Sequence, residues 1–166
     1  LVLERFELRP PPDLARIAEG AARAYAEEIR TYPGAQALLE RLDRAGVKLA
    51  LLSNGPDDMQ KAALNATGLA RYFRVVLVSG DRDVAARKPA PRIFSLACAG
   101  LQTVPEETLM VGDNAVADVG GALEYGLQAV LIAHPDHAEP VTAPAGVPLV
   151  RSLGELDDML QARVRV

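Results

Sequence analysis

The sequence predicts an α/β protein built as a three-layer, open and mainly parallel sheet with helices on both faces. Short apolar runs alternate with longer stretches of helical periodicity, and the segments that join them are brief. The runs are mostly apolar and do not alternate regularly with polar residues, which is typical of strands buried on both faces. The length of 166 residues, with 49% hydrophobic and 24% charged residues, suits one globular domain with its own core.

The individual elements follow from hydrophobic spacing and from residues that begin or end helices. Leu14, Ile17 and Ala21 recur at helical spacing after Asp13, which is a suitable helix cap. Gly46 is a typical helix stop, and prolines suit the first turn of the helix predicted from residue 89. The predicted helices are 13–29, 35–46, 56–68, 89–100, 114–126 and 153–164, and the predicted strands are 47–53, 73–80, 107–113, 127–133 and 147–150.

Charge and composition argue against several functional classes. The net charge is −4 and no Lys/Arg cluster is interleaved with aromatic residues, which argues against nucleic-acid binding. No apolar run approaches the roughly 20 residues of a membrane span, and the first residues do not resemble a signal peptide. We therefore expect a cytoplasmic protein with neither a membrane nor a nucleic acid as its partner.

A few conspicuous residues have simpler explanations than catalysis. The single cysteine, Cys98, lies in an apolar helical pattern and is expected to be a small buried hydrophobe. His134 and His137 lie in the Pro/Ala-rich segment 134–147, which predicts a solvated surface loop rather than a metal site. Gly120 and Gly121 lie inside one predicted helix, where glycine is unfavourable, and we attribute them to close packing of that helix on a strand.

Polar residues follow three of the predicted strands, at the edge where open α/β sheets bind their ligands. A hydroxyl, backbone amides beside a glycine and an ammonium group together suit a phosphate, and paired carboxylates suit Mg²⁺. Each residue taken singly also fits a turn, a solvated loop lysine or a helix-capping acid. The set consists of Ser53, Asn54, Gly55, Lys88, Asp113, Asn114 and Asp118.

Three stretches that contain these residues, "LLSNG", "RKPAPRIF" and "LMVGDNAVADVGGA", occur in this order on the expected strands and helices. In that arrangement they resemble motifs two, three and four of the haloacid dehalogenase (HAD) superfamily. The resemblance extends over residues 31–162 and implies a HAD-type Rossmann-like core. Each motif alone is weak, but three motifs in register are a strong signal.

The resemblance implies a role for each candidate residue. Ser53 would bind the substrate phosphate together with Asn54 and Gly55, whose backbone follows it. Lys88 would stabilise the phosphate and the covalent intermediate. Asp113 would ligate Mg²⁺. Finally, Asp118 would support the metal or orient Lys88, while the role of Asn114 stays open.

The first motif of the superfamily, Asp-x-Asp at the end of a central strand, has no counterpart upstream of residue 47. The superfamily uses the first Asp as nucleophile, and its strand lies between those that carry Ser53 and Asp113. Asp81 and Asp83 form the only "DRD" stretch, but it lies in a loop after the second predicted strand. We expect the chain to be a fragment of a longer hydrolase. The alternatives are a truncated inactive relative and a variant in which residues 1–8 replace the missing strand. Residues 1–30 are interpreted as a cap remnant with its return helix, and 31–166 as the core without its first strand.

The resulting expectation is a HAD-like hydrolase, namely a Mg²⁺-dependent phosphatase of a small phosphorylated metabolite that acts through an aspartyl-phosphate. It would be an enzyme if the first motif is supplied, and inactive if Leu1 is the true start. A haloacid dehalogenase, or an inactive relative that binds phosphate or a partner, are the alternatives. A dinucleotide-binding domain is disfavoured because no G-x-G-x-x-G follows a strand. The substrate is not specified, and a homodimer stays open.

Overall fold

The computed structural model describes residue 9 and residues 11–133 and 141–164. Within these residues, helices and parallel strands alternate along the chain as the sequence predicts. A π-helix covers Ala115–Gly120, and short 3₁₀ helices cover Ala70–Tyr72 and Pro105–Glu107. The helices are α1 (Leu14–Glu28), α2 (Ala35–Arg44), α3 (Asp57–Ala66), α4 (Pro91–Leu101), α5 (Gly121–Tyr125) and α6 (Leu153–Val164), and the strands are β1 (Ala50–Ser53), β2 (Val75–Val78), β3 (Leu109–Gly112), β4 (Gln128–Ile132) and β5 (Leu149–Val150).

Every strand pair in the described part of the chain is parallel, which confirms the predicted fold class. Strand β1 pairs with β2, with Ser53 opposite Val78. Strand β4 lies between β3 and β5, with Gly112 opposite Leu131. The strands form two sheets rather than one, because β1 and β3 are not paired with each other within the described residues.

The three layers are visible at β4, whose successive side chains belong to different cores. Ala129 and Leu131 pack in one buried cluster with Phe94 of α4, whereas Val130 packs in a second cluster with Leu38 of α2. Successive side chains of a strand point to opposite faces of the sheet. Helices therefore cover both faces of β4, which is the predicted arrangement.

Helix α1 packs against α3, which begins directly after the loop that follows β1. Only Ala22 of this helix is buried, and Leu14 and Ile17 keep 40% and 51% of their surface exposed. The interpretation of residues 1–30 as a cap remnant stays a prediction.

The predicted helix 114–126 differs from the structure, where a π-helix over 115–120 precedes the short α5. The widened turn begins at Asn114, whose backbone carbonyl accepts hydrogen bonds from the amides of Asp118 and Val119. The π-helix and α5 contact β3 and β4, as expected, but the nearest neighbours of Gly121 itself lie elsewhere. A Cβ atom there would lie 2.8 Å from Pro89 and 3.0 Å from Phe94, so the close neighbours are the segment after Lys88 and helix α4.

Three further expectations concern composition and the loop. Cys98 is buried, as expected. Among the described residues, no helix has both the length and the apolar character that a membrane span requires. The expectations for residues 1–8 and for His134 and His137 fall outside the described residues.

Candidate functional site

The predicted site residues meet in one open cleft at the carboxyl ends of β1 and β3. The cleft has a volume of about 580 Å³. Strand β1 brings Ser53 and Asn54 to it, β3 leads to Asp113, and the loop after β2 brings Lys88. Its lining consists of Ser53, Asn54, Arg87, Lys88, Asp113, Asn114, Val116, Ala117 and Asp118.

Lys88 connects strand β1 to the π-helix that follows β3 through its side chain. Its Nζ donates to the backbone carbonyl of Leu52 in β1 at 2.7 Å and lies 2.8 Å from Oδ1 of Asp118. The side chain is only 10% exposed, so its charge lies in a poorly hydrated place. An ammonium group has three N–H bonds, and the residues described here use two of them. One donor therefore remains for a ligand in the cleft.

Asp118 is the only charged or polar residue among the buried residues of the described chain, at 4% exposure. While Oδ1 contacts Lys88, Oδ2 accepts a hydrogen bond from the backbone amide of Asn114 at 3.1 Å. Gly112 makes room for it, because a Cβ atom at that position would overlap the Asp118 carboxylate. Asp118 thus contacts Lys88 directly, and the role of orienting the lysine, one of the two that the resemblance implied, stays a prediction.

Asn54 holds the backbone of the lysine rather than presenting its side chain to the cleft. Its Nδ2 donates to the carbonyl of Lys88 at 3.0 Å, and its Oδ1 accepts from the amide of Lys88 at 2.9 Å. Both polar ends of the side chain are therefore used in fixing the loop. The predicted part of Asn54 in substrate binding would therefore fall to its backbone, and it stays a prediction.

Ser53 and Gly55 have partners that the motif analysis did not identify. The hydroxyl of Ser53 donates to Oε1 of Gln60 in α3 at 2.7 Å. The amide of Gly55 donates to Oγ of Ser79, which follows β2, at 3.0 Å. The sequence signal for Gln60 is its place one turn into the helix after the "SNG" loop, whereas Ser79 becomes a neighbour only through strand pairing.

Asp113 is exposed at the cleft and makes no hydrogen bond or ion pair with any residue that the structure describes. A carboxylate with free oxygen atoms suits Mg²⁺. Asp118 suits the ion less well, because both of its oxygens already have partners. Within the described residues, no group of three or more His, Cys, Asp or Glu side chains is placed to hold a metal. Asp113 therefore fits as one ligand of an ion that needs further ligands.

Asp81 and Asp83 of the "DRD" stretch lie outside the cleft lining. The Asp81 carboxylate accepts a hydrogen bond from Lys61 of α3 at 2.8 Å, and this bond holds the pKa of Asp81 below its usual range. The hydrogen bonds that Lys61 donates to Asp57 and Asp81 in turn raise the pKa of the lysine. These contacts hold α3 against the loop after β2, which agrees with a structural rather than a catalytic role for the "DRD" stretch.

Comparison with known proteins identifies the family. The model of the haloacid dehalogenase-like hydrolase family matches residues 4–126. The chain belongs to this family. It is 43% identical over 118 residues to a phosphoserine phosphatase of Thermus thermophilus, and the aligned region covers 69% of this chain and 47% of that protein. It is 42% identical over 106 residues to a (S)-2-haloacid dehalogenase of Burkholderia cepacia, and the aligned region covers 64% of this chain and 45% of that protein.

Solved structures agree with the sequence comparison. A HAD phosphatase from Thermococcus onnurineus superposes with a TM-score of 0.76 at 32% identity, over 95% of this chain and 68% of that one. The chain spans about half the length of the two curated relatives described above. The sequence match and the structural match thus agree on the HAD family and on its fold.

Proposed function

We propose that this HAD chain forms part of a Mg²⁺-dependent phosphatase that acts on small phosphorylated metabolites. The observation that supports it most directly is the buried ammonium of Lys88, which has one N–H left in a cleft beside the Ser53 hydroxyl. A cation in a poorly hydrated place attracts an anion more strongly than a solvated one does. The phosphate of a small ester is an anion that fits this pair of donors.

Two residues act on the phosphate in this proposal, and a third holds one of them in place. The Ser53 hydroxyl donates a hydrogen bond to a phosphate oxygen, and Lys88 neutralises the charge that builds up on the transferred group. Asp118 keeps Lys88 at its place through the 2.8 Å contact. Because Asp118 is itself fixed by the Asn114 amide, the lysine needs little rearrangement when the substrate binds.

Asp113 would hold the metal, with Asp118 in support. Mg²⁺ prefers oxygen ligands, and Asp113 offers a carboxylate with no competing partner among the described residues. When bound, the ion supplies further positive charge next to the phosphate oxygens.

The nucleophile is proposed to be a carboxylate outside the described residues. No Asp-x-Asp pair follows β1, β3, β4 or β5. In the pair after β2, Asp81 accepts a hydrogen bond from Lys61, and neither Asp81 nor Asp83 lines the cleft. In the proposed reaction, a carboxylate oxygen attacks phosphorus, and the bond from phosphorus to the alcohol oxygen breaks as that oxygen takes a proton. Water then cleaves the aspartyl-phosphate to give inorganic phosphate and the free carboxylate.

Two further parts of the proposal concern the N-terminal segment and the location. Residues 1–30 are proposed to be a cap remnant with its return helix. The cytoplasm is the proposed location.

The test is phosphate release from p-nitrophenyl phosphate and a panel of small phosphomonoesters, with and without Mg²⁺. The polypeptide should include whatever coding sequence precedes Leu1. We expect turnover that chelation abolishes and that Asp113→Asn reduces by at least about a hundredfold. If turnover is absent in the presence of Mg²⁺, or if Asp113→Asn leaves it unchanged, the proposal is wrong and an inactive phosphate-binding relative becomes the better description.

Dehalogenation is the second candidate, and the similarity to a (S)-2-haloacid dehalogenase favours it. Ser53 and Asn54 at the end of β1 would then face a carboxylate substrate instead of a phosphate. Halide release from a 2-haloacid that survives chelation would identify this activity. Phosphate release that requires Mg²⁺ would exclude it as the main reaction.

A further inference from the structure

We infer that Gln60 is a positioning residue that sets the direction of the Ser53 hydroxyl proton, an inference that rests on the proposed phosphate-binding role of Ser53. The two side chains meet at 2.7 Å between Oγ of Ser53 and Oε1 of Gln60, and both are partly buried. Ser53 ends β1 and Gln60 lies in α3, so this hydrogen bond spans the loop between strand and helix.

The direction of this hydrogen bond affects how Ser53 meets an anion. A serine hydroxyl has one proton and two lone pairs. While the proton points to Gln60, Ser53 presents only lone pairs to the cleft, and lone pairs repel a phosphate oxygen. The proton must turn to the phosphate when the substrate binds.

A glutamine supports both directions because its amide has an acceptor and a donor at the same distance from the backbone. With Oε1 toward Ser53 it accepts the proton, as in the structure. With the amide turned over, Nε2 donates to the Ser53 oxygen and leaves the serine proton free for the phosphate. Glutamate in its ionised form can only accept, and methionine can do neither.

The surrounding backbone holds Gln60 against the loop. A Cβ atom at Gly55 would lie 2.9 Å from both Cγ and Nε2 of Gln60, so the missing side chain at Gly55 gives the glutamine its place. At Gly80, a Cβ atom would lie 2.7 Å from the carbonyl of Gly55, which shows how closely the loop packs on the segment after β2. The Lys61 network with Asp81 fixes α3 to the same segment.

The experiment measures the dissociation constant of inorganic phosphate by calorimetry for the polypeptide used in the turnover test, which includes whatever coding sequence precedes Leu1, and for its variants. Gln60→Met, which is close in shape, should weaken binding about fivefold, the change that one ordinary hydrogen bond makes. Gln60→Glu should weaken it about tenfold or more, since it retains the serine proton and adds a negative charge. The negative charge of glutamate weakens phosphate binding in either case, so Gln60→Met and the double variant described next distinguish a positioning role from a purely structural one. Gln161→Met, on α6 and outside the cleft lining, is the matched control and should leave binding unchanged.

A double-mutant cycle isolates the path through Ser53. If Gln60 acts through this hydroxyl, Gln60→Met should cause no further loss in a Ser53→Ala background. Two results would overturn this inference and leave the proposed phosphate site intact. One is an additive loss in the double variant. The other is unchanged phosphate binding by Gln60→Met while Ser53→Ala weakens binding. If the unsubstituted chain does not bind phosphate, or if Ser53→Ala changes nothing, the proposed phosphate site is wrong and the inference is wrong with it. Thermal unfolding of each variant checks that the chains compared are folded.

Discussion

Breaking the buried Lys88–Asp118 pair should cost more stability than breaking an exposed ion pair among the described residues, and Asp118→Asn tests this. The side chains of the pair are 10% and 6% exposed. Asparagine keeps the shape and can still accept the Asn114 amide, so the substitution removes mainly the negative charge. It leaves the ammonium of Lys88 buried without a counter-ion, which typically costs about 3–5 kcal/mol.

That cost is a large share of the stability of an ordinary domain, which is about 5–15 kcal/mol. With a urea m-value of about 2 kcal/mol per molar, the unfolding midpoint should fall by about 2 M. Asp13→Asn is the matched control, because Asp13 forms an ion pair with Arg16 in which the side chains are 46% and 79% exposed. This control should change the free energy of unfolding by less than about 1 kcal/mol.

Urea unfolding followed by circular dichroism measures both variants. In the double variant Lys88→Met/Asp118→Asn the isolated charge is gone, so the loss should be clearly smaller than the sum of the two single losses. Equal costs for Asp118→Asn and Asp13→Asn, or an additive double variant, would show that the buried pair is not coupled as the geometry implies.

Other predictions concern the glycine beside the buried carboxylate, the metal ligand and the surface network. Gly112→Ala places a methyl group against that carboxylate and should destabilise the fold by about 1–3 kcal/mol. In contrast, Gly20→Ala lies inside α1 with nothing within 4 Å of the new Cβ, and it should stabilise the fold by about 0.5–1 kcal/mol. Urea unfolding measures both glycine variants, and equal effects on the free energy of unfolding would refute the steric argument. Asp113→Asn should change the free energy of unfolding by less than about 0.5 kcal/mol even though it impairs turnover, because its carboxylate has no partner among the described residues. The Lys61 hydrogen bond lowers the pKa of Asp81, so this pair stabilises the fold above the ordinary carboxyl pKa of about 4, and the contribution disappears as the pH falls through the lowered value. The midpoint difference between the unsubstituted chain and Asp81→Asn should therefore shrink below pH 4, and a difference that is constant from pH 3 to pH 7 would contradict this.

The fold could be predicted from the sequence because its elements depend on local patterns. Uniformly apolar runs correspond to β1 through β5, and helical periodicity with glycine or proline at the ends corresponds to most helices. The segment 114–126 is the exception. Its apolar pattern is helical, but the double acceptance by the Asn114 carbonyl widens the first turns into a π-helix. Hydrophobic periodicity reports the face of a helix and is nearly insensitive to one widened turn.

The candidate site was predicted as a set of residues but not as a network of contacts. Ser53, Lys88 and Asp118 were identified because the ends of parallel strands lie at one edge of a sheet. The two hydrogen bonds between the Asn54 side chain and the Lys88 backbone join residues 34 positions apart in the chain. No local pattern encodes such a pair, since it depends on how two loops are placed by different strands.

By itself, the sequence determined the parallel α/β class, the order of the elements and the residue types that reach the cleft. The tertiary structure decided how these residues share their hydrogen bonds. Asp118 became a buried partner of Lys88 because Gly112 leaves room for it, and the Ser53 hydroxyl turned to Gln60 because Gly55 leaves room for that side chain. Local propensities depend on neighbours within a few residues, whereas these contacts depend on steric space between segments that meet only after folding.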